Sequence, residues 1–248
     1  MKIEKIREKV EGIPVMNYSQ AMEITNVISE NRFQNILELG FLHGVSTCYM
    51  AGALDELGTG CITTIDLENA RNIKPNINFL LNSLGLTQFV NVFYEPTSYN
   101  WRLLKMLEED LSPRFDFCYI DGAHNWYTDG FAFFLVDRLL EPGGLIIFDD
   151  LDWTYEESPS LKNNNFVKNM PKEEKRTPQI RKVYELLVKT HPGYGNFVDK
   201  YGWAYARKLP KQPNINIIES RKEVIYQKEY VGLLSAVQKI AGKFAKKF

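Results

Sequence analysis

The chain has 248 residues, 44% of them hydrophobic and 25% charged, with a formal net charge of −1 and three cysteines. A chain this long buries most of its unfolded surface without disulfide or metal staples, and its balanced charge excludes a global field that would gather nucleic acid or anionic membrane. Cys48, Cys61 and Cys118 have no metal-ligand spacing and read as thiols of a reducing compartment. With no apolar run of membrane-span length and a charged start, MKIEKIREKVEG, a cytoplasmic protein without signal peptide or membrane partner is expected.

In chain order, Ile3, Ile6 and Val10 share one face of a short helix within residues 1–12. A second helix is predicted over 19–31, with Ser19 as its N-cap. Residues 35–40 (NILELG) form a strand that enters a glycine turn, and a helix follows to about residue 57. Residues 61–66 (CITTID) are the second strand, ending in an acid. Residues 70–84 are a helix, or helix plus loop, with Pro75 near the start. The third strand is 89–94, and a helix over 101–111 stops at Ser112-Pro113. Residues 115–120 (FDFCYI) read as a strand buried on both faces. A helical pattern then runs to Leu140, EPGG turns the chain, and LIIF at 145–148 is a fifth strand ending in Asp149-Asp150.

Strands alternating with helices predict an α/β, Rossmann-like, doubly wound and mostly parallel seven-stranded sheet in a single domain spanning 1–248. Beyond it, 152–177 is a polar stretch long enough to be a substrate lid or insert. Residues 179–189 carry Ile180, Val183, Leu186 and Leu187 on one helical face. Residues 202–209 and 215–226 read as a closing antiparallel strand pair. The tail 230–248 is a basic amphipathic helix, for which packing on the domain or on a second subunit is preferred over a membrane surface, leaving a homodimer open.

Asp121, Asp149 and Asp150 follow two neighbouring parallel strands, at the edge where open α/β sheets bind ligands. Crowded carboxylates repel one another unless a cation compensates them, and an oxygen-only set suits Mg2+, Mn2+ or Ca2+. The plainer reading is that Asp149 or Asp150 only organises a loop. Glu38-Leu39-Gly40-x-x-x-Gly44 is not the dinucleotide fingerprint, because Leu42 stands where a glycine would let a pyrophosphate approach. With Asp66 one strand later to accept ribose hydroxyls, a nucleoside lacking a pyrophosphate fits, and S-adenosyl-L-methionine is the evident one. His43 and His191 read as loop residues.

Four segments in this order, ELGFLHGVS at 38–46, TID at 64–66, YIDGAH at 119–124 and PGGLIIFDD at 142–150, resemble the class I S-adenosylmethionine-dependent O-methyltransferases. The likeness is to the metal-dependent branch that includes catechol O-methyltransferase and the macrocin-type sugar O-methyltransferases. It covers about 35–153 and continues faintly through 179–189. The resemblance implies that Gly40 and Gly44 shape the cofactor turn, that Ser46 holds the methionine carboxylate and that Asp66 binds the ribose. It places the adenine near Ser98 and Gly122, and counts Glu38, Phe41 and Asp121 among the cofactor residues. Asp121, Asp149 and Asp150 match the metal ligands, the third being asparagine in the catechol enzymes and aspartate in the macrocin-like ones. His124 stands where the catechol enzymes carry their lysine base. The implied activity is divalent-metal-dependent O-methylation of a small-molecule or sugar hydroxyl, in a natural product or glycan. A metal-independent enzyme of the same fold and a non-catalytic cofactor-binding or scaffold protein are the alternatives.

Overall fold

Each of β1 (Asn35–Leu39), β2 (Cys61–Leu67), β3 (Val90–Glu95), β4 (Phe115–Ile120) and β5 (Leu140–Phe148) leads toward one edge of a sheet that two further strands, β6 (Tyr194–Lys200) and β7 (Trp203–Lys208), complete. These strands come from a computed structural model that describes residues 3–13 and 16–210. The spatial order is β3-β2-β1-β4-β5-β7-β6. The first five strands pair in parallel, and β7 pairs antiparallel with both β5 and β6. Strand order reverses between β1 and β4, which opens a crevice past their C-terminal ends.

Alternating residues of the central strands serve two cores. Ile36, Phe117, Tyr119, Leu145 and Ile147 face one side, where α1 (Ile3–Val10), α2 (Tyr18–Asn31), α3 (Val45–Leu57) and α4 (Ile77–Leu84) pack. Leu37, Leu39, Cys118, Ile120, Ile146 and Phe148 face the other, beneath α5 (Tyr99–Glu109) and α6 (Trp126–Leu139). Residues 152–177 contribute two short helices, α7 (Asn165–Asn169) and α8 (Lys172–Arg176). After them α9 (Gln179–Val183) runs on into a π turn, Tyr184–Val188, and its Ile180 and Val183 join the second core. Burial on both faces explains why β4 and the end of β5 read as nearly unbroken apolar runs. Among the described residues, no helix is long and apolar enough to cross a membrane.

Several boundaries differ from expectation. The N-cap of α2 is Asn17 rather than Ser19: its side chain accepts the Gln20 amide at 2.9 Å while the Gln20 side chain accepts the Asn17 amide at 3.2 Å. Such a reciprocal capping box satisfies two backbone donors at once. Asn17→Ala should cost about 1 kcal/mol of stability. A denaturant midpoint identical to wild type would show that the cap contributes nothing. Residues 70–84 divide into a 3-10 turn, Glu68–Asn72, and α4, which starts at its own cap, Asn76. The closing pair is β6 with β7, so the partner of the expected 202–209 strand precedes it in the chain. Most of β6 is exposed, so the edge strand carries no buried-strand signature. The expected strand at 215–226 and helix at 230–248 lie outside the described residues.

Candidate functional site

The glycine turn after β1 is shaped by close contact. Gly40 has φ +85°, and a Cβ there would stand 1.9 Å from the Asp121 carbonyl oxygen. Asp121 is tied to the same place, its amide donating to the Leu39 carbonyl at 2.8 Å. Gly44, at φ +88°, caps α3, and a Cβ on it would meet Ile77 Cγ1 at 2.5 Å. With no side-chain cap on α3, its first N–H groups remain open to an anion. Ser46 lies in that first turn and lines the crevice.

Glu38 sits beneath the turn and does not reach the crevice. Fully buried, it accepts hydroxyl hydrogen bonds from Ser46 at 2.5 Å and from Thr47 and Thr64 at 2.6 Å. Burial pushes its pKa up to about 7 despite those three donors. Glu38 therefore ties β1 to β2 and to the start of α3. The Ser46 hydroxyl is committed to it, which leaves Ser46 its backbone N–H and oxygen lone pairs for a ligand.

Asp66, at the end of β2, has a dual position. Oδ2 accepts the Phe41 and Leu42 amides at 2.9 and 2.7 Å, and Oδ1 accepts the Leu67 amide at 2.6 Å. It clamps the glycine turn while lining the crevice. Ser98 caps α5, accepting the Asn100 amide at 3.1 Å, and Gly122 lies directly against the Tyr99 ring. Gly40, Phe41, Ser46, Asp66, Ser98, Asp121, Gly122, His124 and Asp150 all border one cavity of about 450 Å³, a size suited to small molecules. Glu38, Gly44 and Asp149 lie outside its wall.

At the β4–β5 end of this cavity, Asp121, His124 and Asp150 each bring one ligand atom within 4.8 Å of the others. His124 Nε2 is 3.7 Å from Asp121 Oδ1, and Nδ1 is 3.7 Å from Asp150 Oδ2. His124 and Asp150 both hold left-handed backbone, at φ 53° and 52°, a conformation that concentrates at functional sites. The Trp153 ring packs against the imidazole at 5.1 Å. Asp149 is turned away from the group. Its Oδ2 accepts the buried Tyr119 hydroxyl, and its Oδ1 accepts the Asp150 amide at 2.6 Å.

Burial and the neighbouring Asp149, Asp150, Glu38 and Asp129 carboxylates hold Asp121 well above the usual carboxylate range, and burial with Asp150 raises Asp149. Among the described residues, no lysine or arginine lines the cavity to balance them. Such a donor set fits a divalent cation, which would supply the missing charge. Sequence reasoning missed Asp129 and Tyr99, which hold the 121–125 loop from below, and Ser158, Ser160 and Leu161, which border the cavity from the 152–177 segment. Tyr155 of that segment is buried instead, against Trp153 and Phe166. His43 Nδ1 meets the Pro75 carbonyl oxygen at 2.7 Å, and His191 packs on Phe133 and Tyr194, so both are framework groups.

Residues 37–151, from β1 to just past β5, match the family described as methyltransferase domain. The chain is 36% identical over 118 residues to a catechol O-methyltransferase of Niastella koreensis. That match covers 48% of this chain and 49% of the relative, so it spans about half the length of the curated protein. Among solved structures, an O-methyltransferase from Bacillus cereus in complex with S-adenosylhomocysteine superposes with a TM-score of 0.59 at 20% identity, covering 83% of this chain and 90% of that one. An O-methyltransferase of tomaymycin synthesis from Streptomyces achromogenes, in complex with S-adenosylmethionine, gives 0.60 at 17% identity, covering 84% and 89%. At these identities the structural likeness establishes the fold.

Proposed function

We propose that the chain carries a class I S-adenosylmethionine-dependent methyltransferase domain similar to catechol O-methyltransferase and that it methylates a hydroxyl of a small molecule with the help of a divalent cation. The observation that carries this reading is convergence. The turn after β1, the ribose-competent Asp66 and the Asp121–His124–Asp150 group border one cavity. Bound there, S-adenosylmethionine supplies an electrophilic methyl group, and a cation such as Mg2+ or Mn2+ supplies positive charge that lowers the pKa of an acceptor hydroxyl.

The chain's own groups divide the remaining work. The open N-terminus of α3, with Ser46, takes the carboxylate of the cofactor's methionine. Asp66 accepts the ribose hydroxyls while keeping Phe41 and Leu42 in place. Ser98 and Gly122 border the adenine side. Asp121 and Asp150 hold the cation, and His124 takes the acceptor's proton. Trp153 and Leu161 keep water from the reacting groups. Ser158 and Ser160, which border the same cavity as Trp153, suit a catechol or a sugar as acceptor, which is the class to try first. Incubation with S-adenosylmethionine, Mg2+ and a panel of catechols and glycosides, read by mass for one added methyl, should find an acceptor. No added methyl on any member, together with no binding of S-adenosylhomocysteine, would overturn the proposal.

Asp66→Ala should weaken S-adenosylhomocysteine binding by roughly 1.5–3 kcal/mol for each hydrogen bond lost to the charged carboxylate. It should also lower thermal stability, because the Phe41, Leu42 and Leu67 amides lose their acceptor. Calorimetry showing unchanged affinity would remove Asp66 from the ribose site.

A second reading of His124 has its own observation. The imidazole stands within the ligand group where Asp149 does not, so it suits a third cation ligand. As a base, His124→Ala should leave Mn2+ affinity intact and lower turnover by about 10²–10⁴-fold. As a ligand, the same change should weaken Mn2+ binding, read by electron paramagnetic resonance without any substrate, while Asp149→Ala should matter less.

A further inference from the structure

Asp129 lies in the first turn of α6, fully buried, and is not among the residues that border the cavity. Both of its oxygens are engaged by the neighbourhood of the loop that carries Asp121 and His124. Oδ1 accepts the Tyr99 hydroxyl, and Oδ2 accepts the Asn125 amide at 3.0 Å. The Tyr99 hydroxyl in turn accepts the Ala123 amide at 3.3 Å. The amides on either side of His124 are thus held by one buried tyrosine–aspartate pair. His124 between them has φ 53°, a conformation a non-glycine residue keeps only when its surroundings impose it. Gly122 completes the fit, since a Cβ there would come within 2.5 Å of the Tyr99 hydroxyl.

An acid in the first turn of a helix commonly serves only the helix dipole. Such acids sit in solvent, whereas this one is buried and receives a phenol from α5 and the amide of the residue that caps its own helix. A buried carboxylate is costly unless its hydrogen bonds are made, so the sequence keeps it for what those bonds fix. We propose that Asp129 and Tyr99 are positioning residues, which together set the shape of residues 121–125 and so the placement of Asp121 and His124. The catalytic consequence rests on the O-methyltransferase reading above; the loop geometry does not.

Asp129→Asn preserves shape but turns one acceptor into a donor facing either the Tyr99 hydroxyl or the Asn125 amide. In the full chain without ligand, amide hydrogen exchange followed by NMR should show Ala123 and Asn125 exchanging about tenfold faster or more, with β4 and α3 unchanged. Turnover of an acceptor at saturation should fall by about tenfold or more while the KM for S-adenosylmethionine stays within about threefold, the pattern of misplaced reacting groups. Tyr99→Phe, which keeps the ring, is the second variant should Asp129→Asn fold poorly, and it should deprotect Ala123. Unchanged exchange in both variants overturns the proposal, as does exchange that rises uniformly across the domain, since that is only lost stability. Faster loop exchange with unaltered turnover overturns it too. A wild-type chain that methylates nothing would instead overturn the activity reading, and the two failures stay separate because exchange needs no substrate.

Discussion

Gly40→Ala should weaken S-adenosylhomocysteine binding by about 100-fold or more, a loss of roughly 2.7 kcal/mol. Two penalties coincide at this residue. Its φ of +85° disfavours any side chain, and the new Cβ would stand 1.9 Å from the Asp121 carbonyl oxygen and 2.7 Å from its carbon. Backbone cannot give way there as a flexible side chain would, because the Asp121 amide is itself bonded to the Leu39 carbonyl. Either the glycine turn or the loop with Asp121 must move, and both border the cavity. Gly58→Ala is the control: at φ +74° it meets nothing within 4 Å, so it should cost about 1 kcal/mol of stability and leave affinity unchanged. Calorimetry giving Gly40→Ala the affinity of wild type would mean that the turn does not receive the cofactor.

Chelation should abolish turnover, and Mg2+ or Mn2+ should restore it. The physical reason is the acid group itself. Asp121 is pushed well above the ordinary carboxylate range by burial and by Asp149 and Asp150, with no lysine or arginine among the described residues on the cavity wall to offset them. Asp121→Asn should be the most damaging of the three amide substitutions, because it removes charge from the ligand candidate that both Asp149 and Asp150 face. Asp150→Asn should be the mildest: Asp150 is 46% exposed, and an amide oxygen still suits a hard cation. Asp149→Asn tests the inward geometry, since its oxygens already accept the Tyr119 hydroxyl and the Asp150 amide. Turnover that persists in chelator would leave the crowded carboxylates without the role proposed for them.

The amino-acid sequence by itself determined the alternation of buried strands and amphipathic helices, and with it the parallel sheet. Runs such as FDFCYI and LIIF are apolar on both faces because helices cover both, so local pattern and final environment agree. It also placed Asp66, Asp121 and Asp150 at strand ends, since topology alone carries every such end to one edge. Local pattern failed for β6, an edge strand whose residues are mostly exposed and which therefore lacks any apolar signature. The tertiary structure decided everything that depends on which way a side chain turns across long separations. Asp149 turns down to Tyr119 while His124 comes between Asp121 and Asp150. Glu38 is buried under hydroxyls from two other elements, and Asp129 reaches back to Tyr99, thirty residues earlier. Hydrogen-bond partners far apart in the chain leave no periodic trace in it, because they are chosen by packing and by the cost of burying an unpaired polar group.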